Sequence, residues 1–163
     1  GRIDRIDENT QDGRIRIIDY KTSDKAWSPA SEHLALRRDN TPEYNDVIVL
    51  KQLKKGEKMK HMRWQDLQLP LYAMIYTQGT DFPDKLELAY FGLPKTTSET
   101  SVMQWPDFDG DKMASAVKCM DGVLEQIGQA AFWPPSERTK YDDPFASLFL
   151  YEPEKAFKGK AVR

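Results

Sequence analysis

With 163 residues and 39% hydrophobic content, the chain is long enough for one domain with a real core and too short for two comfortable ones. Its net charge of −2 carries no global signature of a nucleic-acid binder, so a phosphate track has to come from a local patch. No run of 18 apolar residues and no apolar signal core argue against membrane insertion and secretion, and the lone Cys119 cannot form an internal disulfide, which makes a reducing cytoplasm the expected compartment.

In chain order, Ile3, Ile6, Ile15, Ile17 and Ile18 supply the β-branched content of two strands, and Asn9-Thr-Gln-Asp-Gly13 is the polar, Gly-ended run of a hairpin connection. Side chains alternate along a strand, so in Asp19-Tyr20-Lys21 the acid and the amine project together while Tyr20 faces away. If the hairpin register sets Asp4 across from Asp19, two carboxylates converge beside one ammonium. Like charges that close raise each other's pKa unless a cation resolves them. A hard divalent ion such as magnesium takes one or two carboxylates plus waters and phosphate oxygens. Asp4 and Asp19 are therefore candidate metal ligands, and Lys21 is placed to position a water or neutralise charge on a phosphate. The blander alternative for Asp19 and Lys21 is an ordinary ion pair at a strand end.

Residues 22–63 read as a long basic connection without a clear period, in which residues 45–50 offer a short strand or an ordered lid segment. Lys51, Lys54, Lys55, Lys58, Lys60 and Arg63 follow with only Glu57 opposing them, a cluster suited to steering a phosphate backbone or, equally, to being a solvated loop. Trp27 and Trp64 offer stacking surfaces for bases, although packing of the loop onto the core is the favoured role. His33 and His61 have no metal-ligand spacing, so surface or loop roles are expected for both.

From Arg63 to Gln78 the pattern turns helical through Leu67, Leu71, Met74 and Ile75, and Pro70 sets the regular start near residues 67–69. Gln68 and Tyr72, four apart, share a face. A hydrogen-bonded pair between helices is the alternative use for these two side chains. Residues 85–94 read as a central strand, residues 101–105 as a peripheral one, and residues 111–131 as an amphipathic helix with Met113, Val117, Met120, Val123, Leu124 and Ile127 as its apolar face. Cys119 in that helix is expected to pack rather than react. An aromatic, proline-rich tail follows from Phe132.

Three motifs in order carry a resemblance. Gly1-Arg-Ile-Asp-Arg-Ile-Asp7 resembles the Gly-x-x-Asp strand of the PD-(D/E)XK nuclease superfamily, Ile18-Asp-Tyr-Lys-Thr22 its Asp-x-Lys strand, and Gln68-Leu-Pro-Leu-Tyr72 the Gln-x-x-x-Tyr helix of its RecB-like and AddB-like exonuclease branch. The resemblance implies an α/β, restriction-endonuclease-like core with a small mixed sheet flanked by helices. It also implies Asp4, Asp19 and the Tyr20 backbone carbonyl as metal ligands, Lys21 as the catalytic lysine, and Gln68 and Tyr72 as active-site supports.

The activity so implied is magnesium- or manganese-dependent exonucleolytic hydrolysis of DNA in repair or recombination, with helicase domains or subunits as partners. Several relatives hold an iron–sulfur cluster on C-terminal cysteines; a cluster needs about four thiolates and residues 132–163 contain none, so no cluster is expected. Members of the branch place a helix before the first motif strand, often with a further metal ligand on it. The expectation is therefore a single nuclease domain over residues 1–163 that is a C-terminal fragment of a longer protein, lacks the first core helix, and has weak metal affinity and little activity alone. The alternative function is a catalytically inactive nuclease-fold module that binds nucleic acid or serves as a scaffold in a helicase–nuclease complex. The joint presence of Asp4, Asp19 and Lys21 favours the enzyme.

Overall fold

The computed structural model describes residues 2–24, 28–53 and 56–131, with the backbone alone for 49–53 and 56–59. The chain divides into two compact units, Gly1–Val123 and Leu124–Arg163.

The predicted hairpin forms. Strand β1 (Arg5–Glu8) pairs antiparallel with β2 (Ile15–Lys21), setting Ile6 opposite Ile17 and Arg5 opposite Ile18. The turn closes through Asn9 N–H to the Arg14 carbonyl at 2.8 Å and Gly13 N–H to the Asn9 carbonyl at 2.7 Å. Gly13 sits at φ 71°, a conformation that costs glycine little.

Strand β2 then pairs parallel with a strand far along the chain, which a hairpin turn cannot connect and a crossover must. The crossover carries helix α1 (Pro29–His33), strands β3 (Leu34–Leu36), β4 (Asp46–Leu53) and β5 (Gly56–Trp64), and helix α2 (Gln68–Thr77). It returns to β6 (Leu86–Gly92), and β7 (Ser101–Gln104) adds antiparallel to β6. The result is a four-stranded mixed sheet, β1-β2-β6-β7, flanked by helices, with β6 inside and β7 at an edge as the apolar patterns imply.

Residues 22–63 are not a connection without structure. They hold α1 and a second, antiparallel sheet of order β3-β5-β4. The short strand offered at residues 45–50 forms, from Asp46, as part of β4, whereas β3 and β5 give no clear period: among the described side chains Leu34, Val47 and Trp64 are buried and Leu36 and Ile48 exposed. Arg63 and Trp64 end β5 rather than opening the following helix.

The core joins Ile17, Leu88 and Tyr90 of the first sheet to Trp64, to Leu69 and Ala73 of α2, to Trp105 and Phe108, and to Met113, Ala116 and Met120 of helix α3 (Gly110–Gly128). Helix α2 is apolar nearly all round, so its buried side could not be phased from sequence. The buried residues are Leu69, Pro70, Tyr72 and Ala73, whereas Leu67, Leu71 and Met74 are half-buried and Ile75 is exposed. In α3 the expected face is buried at Met113 and Met120. At Val123, Leu124 and Ile127 it is exposed, and among the described residues the packed cluster reaches along the helix to Met120. Gly122 lets the Tyr44 ring approach α3, since a Cβ there would overlap that ring. Cys119 is buried and its thiol is pushed up to about 11 by burial, which keeps it unreactive. Among the described residues no helix is long and apolar enough to cross a membrane.

Candidate active site

The alternation argument for Asp19-Tyr20-Lys21 places the acid and the amine on the sheet face that also carries Ile15 and Ile17, and the structure brings them together. Asp19 Oδ2 lies 2.7 Å from Lys21 Nζ. Above them, at the first turn of α2, Gln68 Nε2 donates to Asp19 Oδ1 at 2.9 Å, and Gln68 Oε1 accepts from Lys21 Nζ at 3.2 Å. Carboxylate, ammonium and amide thus close a ring. Its polarity is forced, because a carboxylate only accepts and an ammonium only donates, so the amide oxygen must face the lysine. Gln68 Nε2 also donates to the Tyr72 hydroxyl at 3.0 Å, one helical turn on. Beneath the ring, Lys21 Nζ sits 4.5 Å from the centroid of the Tyr90 ring, a cation–π contact.

Asp4 precedes β1, and continuing the hairpin register by one pair sets it opposite Asp19. Its Oδ2 accepts the Tyr20 backbone N–H at 3.0 Å. A residue's N–H and C=O point to the same side of a strand, so the Tyr20 carbonyl faces the same sheet edge as the Asp4 carboxylate. Asp19 is 3% exposed, and burial pushes its carboxyl up from the ordinary value. The hydrogen bond and charge of Lys21 oppose that shift, and Asp4 adds to it. The buried Asp19 carboxylate thus has one further carboxylate, Asp4, and one ammonium, Lys21, acting on it.

Among the described residues no group of three or more His, Cys, Asp or Glu side chains is placed to hold a metal. Two carboxylates and one backbone oxygen do suit a small hard ion that keeps several waters, and the cost that burial and Asp4 impose on the Asp19 charge is what such an ion relieves.

Of the six basic residues, two have described side chains. Lys51 and Lys58 pair in the backbone register of β4 and β5, but their side chains, like Lys54 and Lys55 altogether, lie outside the described residues. Lys60 and Arg63 are half-buried on β5 and, three apart, lie on opposite faces of that strand. Trp27 and residues 132–163 also fall outside the described residues, so the expected stacking role of the first and the aromatic packing of the second have no structural counterpart here.

His33, expected from its spacing to have a surface or loop role, is central. It is fully buried, not on the surface. Its Nδ1 lies 3.0 Å from the Pro29 carbonyl and 3.0 Å from the Tyr90 hydroxyl, and its Nε2 accepts the Leu69 N–H at 3.2 Å. Burial lowers its pKa, and the Lys21 charge works in the same direction against the pull of Asp66 and Glu32. A histidine in a stretch without a period gives no signal of this. Tyr90 was nearer to legible, since alternation along β6 places it on the Leu86 and Leu88 face, but its pairing with Asp19 needs the parallel register.

Residues 1–141 match the model of the PD-(D/E)XK nuclease superfamily. No curated protein and no solved structure matches the chain.

Proposed function

The chain belongs to the PD-(D/E)XK nuclease superfamily, and from that premise we propose that it is a magnesium-dependent exonuclease of the RecB-like and AddB-like branch, hydrolysing DNA phosphodiester bonds in repair or recombination alongside helicase domains or subunits. The single observation that carries the reading is the closed ring of Asp19, Lys21 and Gln68 beside Asp4. All its members come from the three motifs that carry the resemblance.

In this reading Asp4, Asp19 and the Tyr20 carbonyl hold the divalent cation. The ion, when bound, acidifies a water and stabilises charge on the phosphate. Lys21, held between Asp19 and Gln68, presents its ammonium to the attacked phosphate oxygen or the attacking water. Gln68 fixes the lysine's direction, Tyr72 fixes the amide, and the Tyr90 ring supports the ammonium from below. The basic stretch from Lys51 through Lys54, Lys55, Lys58 and Lys60 to Arg63 is assigned to the DNA backbone, where each phosphate contact strengthens binding and makes it salt-dependent.

A second reading, a nuclease-fold module that binds DNA without cutting it, has one observation in its favour: the described residues offer two carboxylates rather than three acidic or histidine side chains. End-labelled single- and double-stranded DNA incubated with the full chain in magnesium, manganese and chelator separates the two. Cleavage that needs the metal and disappears in Asp19→Ala supports the exonuclease. DNA binding with no cleavage in either metal supports the module.

A further inference from the structure

The first turn of α2 is capped from a distant part of the chain. A helix start leaves several N–H groups without partners inside the helix, and Leu67 at the N-cap position supplies no side-chain cap. Gln68 N–H goes to Asp66 Oδ1 at 2.6 Å. Pro70 has no N–H, and Leu71 N–H already bonds the Leu67 carbonyl at 2.9 Å. That leaves Leu69 N–H, the neighbour of Gln68, and it is taken by His33 Nε2. An amide N–H can only donate, so Nε2 must be the bare nitrogen and Nδ1 must carry the proton, which the Pro29 carbonyl and the Tyr90 hydroxyl oxygen, each 3.0 Å away, both accept. Tyr90, whose hydroxyl meets the same Nδ1, is the parallel neighbour of Asp19, and its ring lies under Lys21. A single imidazole therefore touches the residue next to Gln68 and the ring beneath Lys21.

We propose that His33 is a positioning residue: as the Nδ1–H tautomer it pins the first turn of α2 and the Tyr90 ring together, so that Gln68 and Lys21 meet Asp19 in one fixed geometry. The 22–63 segment is then a working part of the site, because α1 delivers His33 to it. Gln68 is held by three hydrogen bonds between 2.9 and 3.2 Å, and a displacement of about 1 Å takes any of them out of hydrogen-bonding range. A misplacement of that size costs catalysis about a hundredfold. The inference rests on the nuclease reading only where activity is measured.

The test uses the full chain. In the wild type, long-range nitrogen-15 spectra of the imidazole at pH 7.5 are expected to give the Nδ1–H tautomer; an Nε2–H tautomer overturns the proposal without any variant. His33→Leu removes the acceptor at similar volume, and His33→Gln restores an oxygen near the position of Nε2. In His33→Leu the Gln68 side-chain amide resonances are expected to shift, and magnesium-dependent cleavage to fall about a hundredfold in kcat with KM for DNA little changed. His33→Gln is expected to recover both. Unmoved Gln68 resonances in a folded His33→Leu protein overturn the proposal. Should the wild type cleave no DNA, the nuclease reading fails while the tautomer and the Gln68 resonances still decide the role of His33. Should His33→Leu not fold, the wild-type tautomer and the His33→Gln resonances decide it.

Discussion

The two sheets hold charge at different depths. In β1-β2-β6-β7 the charges at the site are drawn inward: Asp19 is 3% exposed and is held only because Lys21 and Gln68 satisfy it. Among the described residues of β3-β5-β4 the charges are less enclosed: just past β3, Arg37 lies 2.9 Å and on β5 His61 lies 3.1 Å from Asp46 Oδ2, with the Arg37 side chain 32% and the His61 side chain 56% exposed. A buried charge must be paired and hydrogen-bonded or it neutralises, whereas an exposed pair contributes little. The first sheet therefore holds chemistry whose loss should be severe, and the second should tolerate change except where His33 ties it to the first.

The sharpest test of that contrast is within the ring. Lys21→Ala is expected to lower cleavage by about 10²–10³-fold, the cost of deleting one preorganised donor, with DNA binding largely retained in a filter or fluorescence assay. Lys21→Met also leaves Asp19 buried without its cation. It should destabilise the fold by about 3 kcal/mol in urea denaturation, as removal of one partner from a buried pair does. Against it, Arg37→Met, just past β3 where the pair with Asp46 is part-buried, is expected to cost about 1 kcal/mol; equal losses for the two would erase the distinction.

Next in size is Gly122→Ala. Its methyl must displace the Tyr44 ring, so a loss of about 1–3 kcal/mol by thermal unfolding is expected from overpacking, despite the better helix propensity of alanine. Gly128→Ala, with nothing near its added methyl, should gain a few tenths to about 1 kcal/mol.

The pH dependence is smaller and joins the two sheets. His33 has its folded pKa lowered from 6.5, so below 6.5 the unfolded chain binds more protons than the folded one. Its contribution is fully present above 6.5 and is lost as pH falls toward the folded value, at up to about 1.4 kcal/mol per pH unit. Asp19, raised from 3.8, runs the other way: in its window the folded state holds the extra proton and stability falls as pH rises. The two oppose in acid, so the difference between wild type and His33→Gln across pH 5 to 8 isolates the histidine. A difference that is flat with pH would contradict the assigned burial of a neutral imidazole. Last, neutralising Lys54, Lys55 and Lys58 should flatten the salt dependence of DNA binding by roughly 0.7–0.9 in log–log slope per contact removed. An unchanged slope would take that stretch out of the binding surface.

Much of this was legible from residues alone, for a local reason. The alternation of Asp19 and Lys21, the Gly13 turn and the i, i+4 spacing of Gln68 and Tyr72 depend on backbone geometry within one element, and each reappears in the structure as read. The phase of α2 was not legible, because apolar residues surround it and only the sheet decides which of them it covers. Of the sheet that follows α1, one strand was legible at residues 45–50, but β3 is only three residues long and β5 is rich in charge, so neither announced itself nor the pairing that joins them. Which strand pairs with β2 across the crossover, and hence which ring lies under Lys21 and which buried histidine closes the first turn of α2, was decided by tertiary structure alone. Those contacts join residues tens of positions apart, and no local period or propensity encodes the energy of bringing them together.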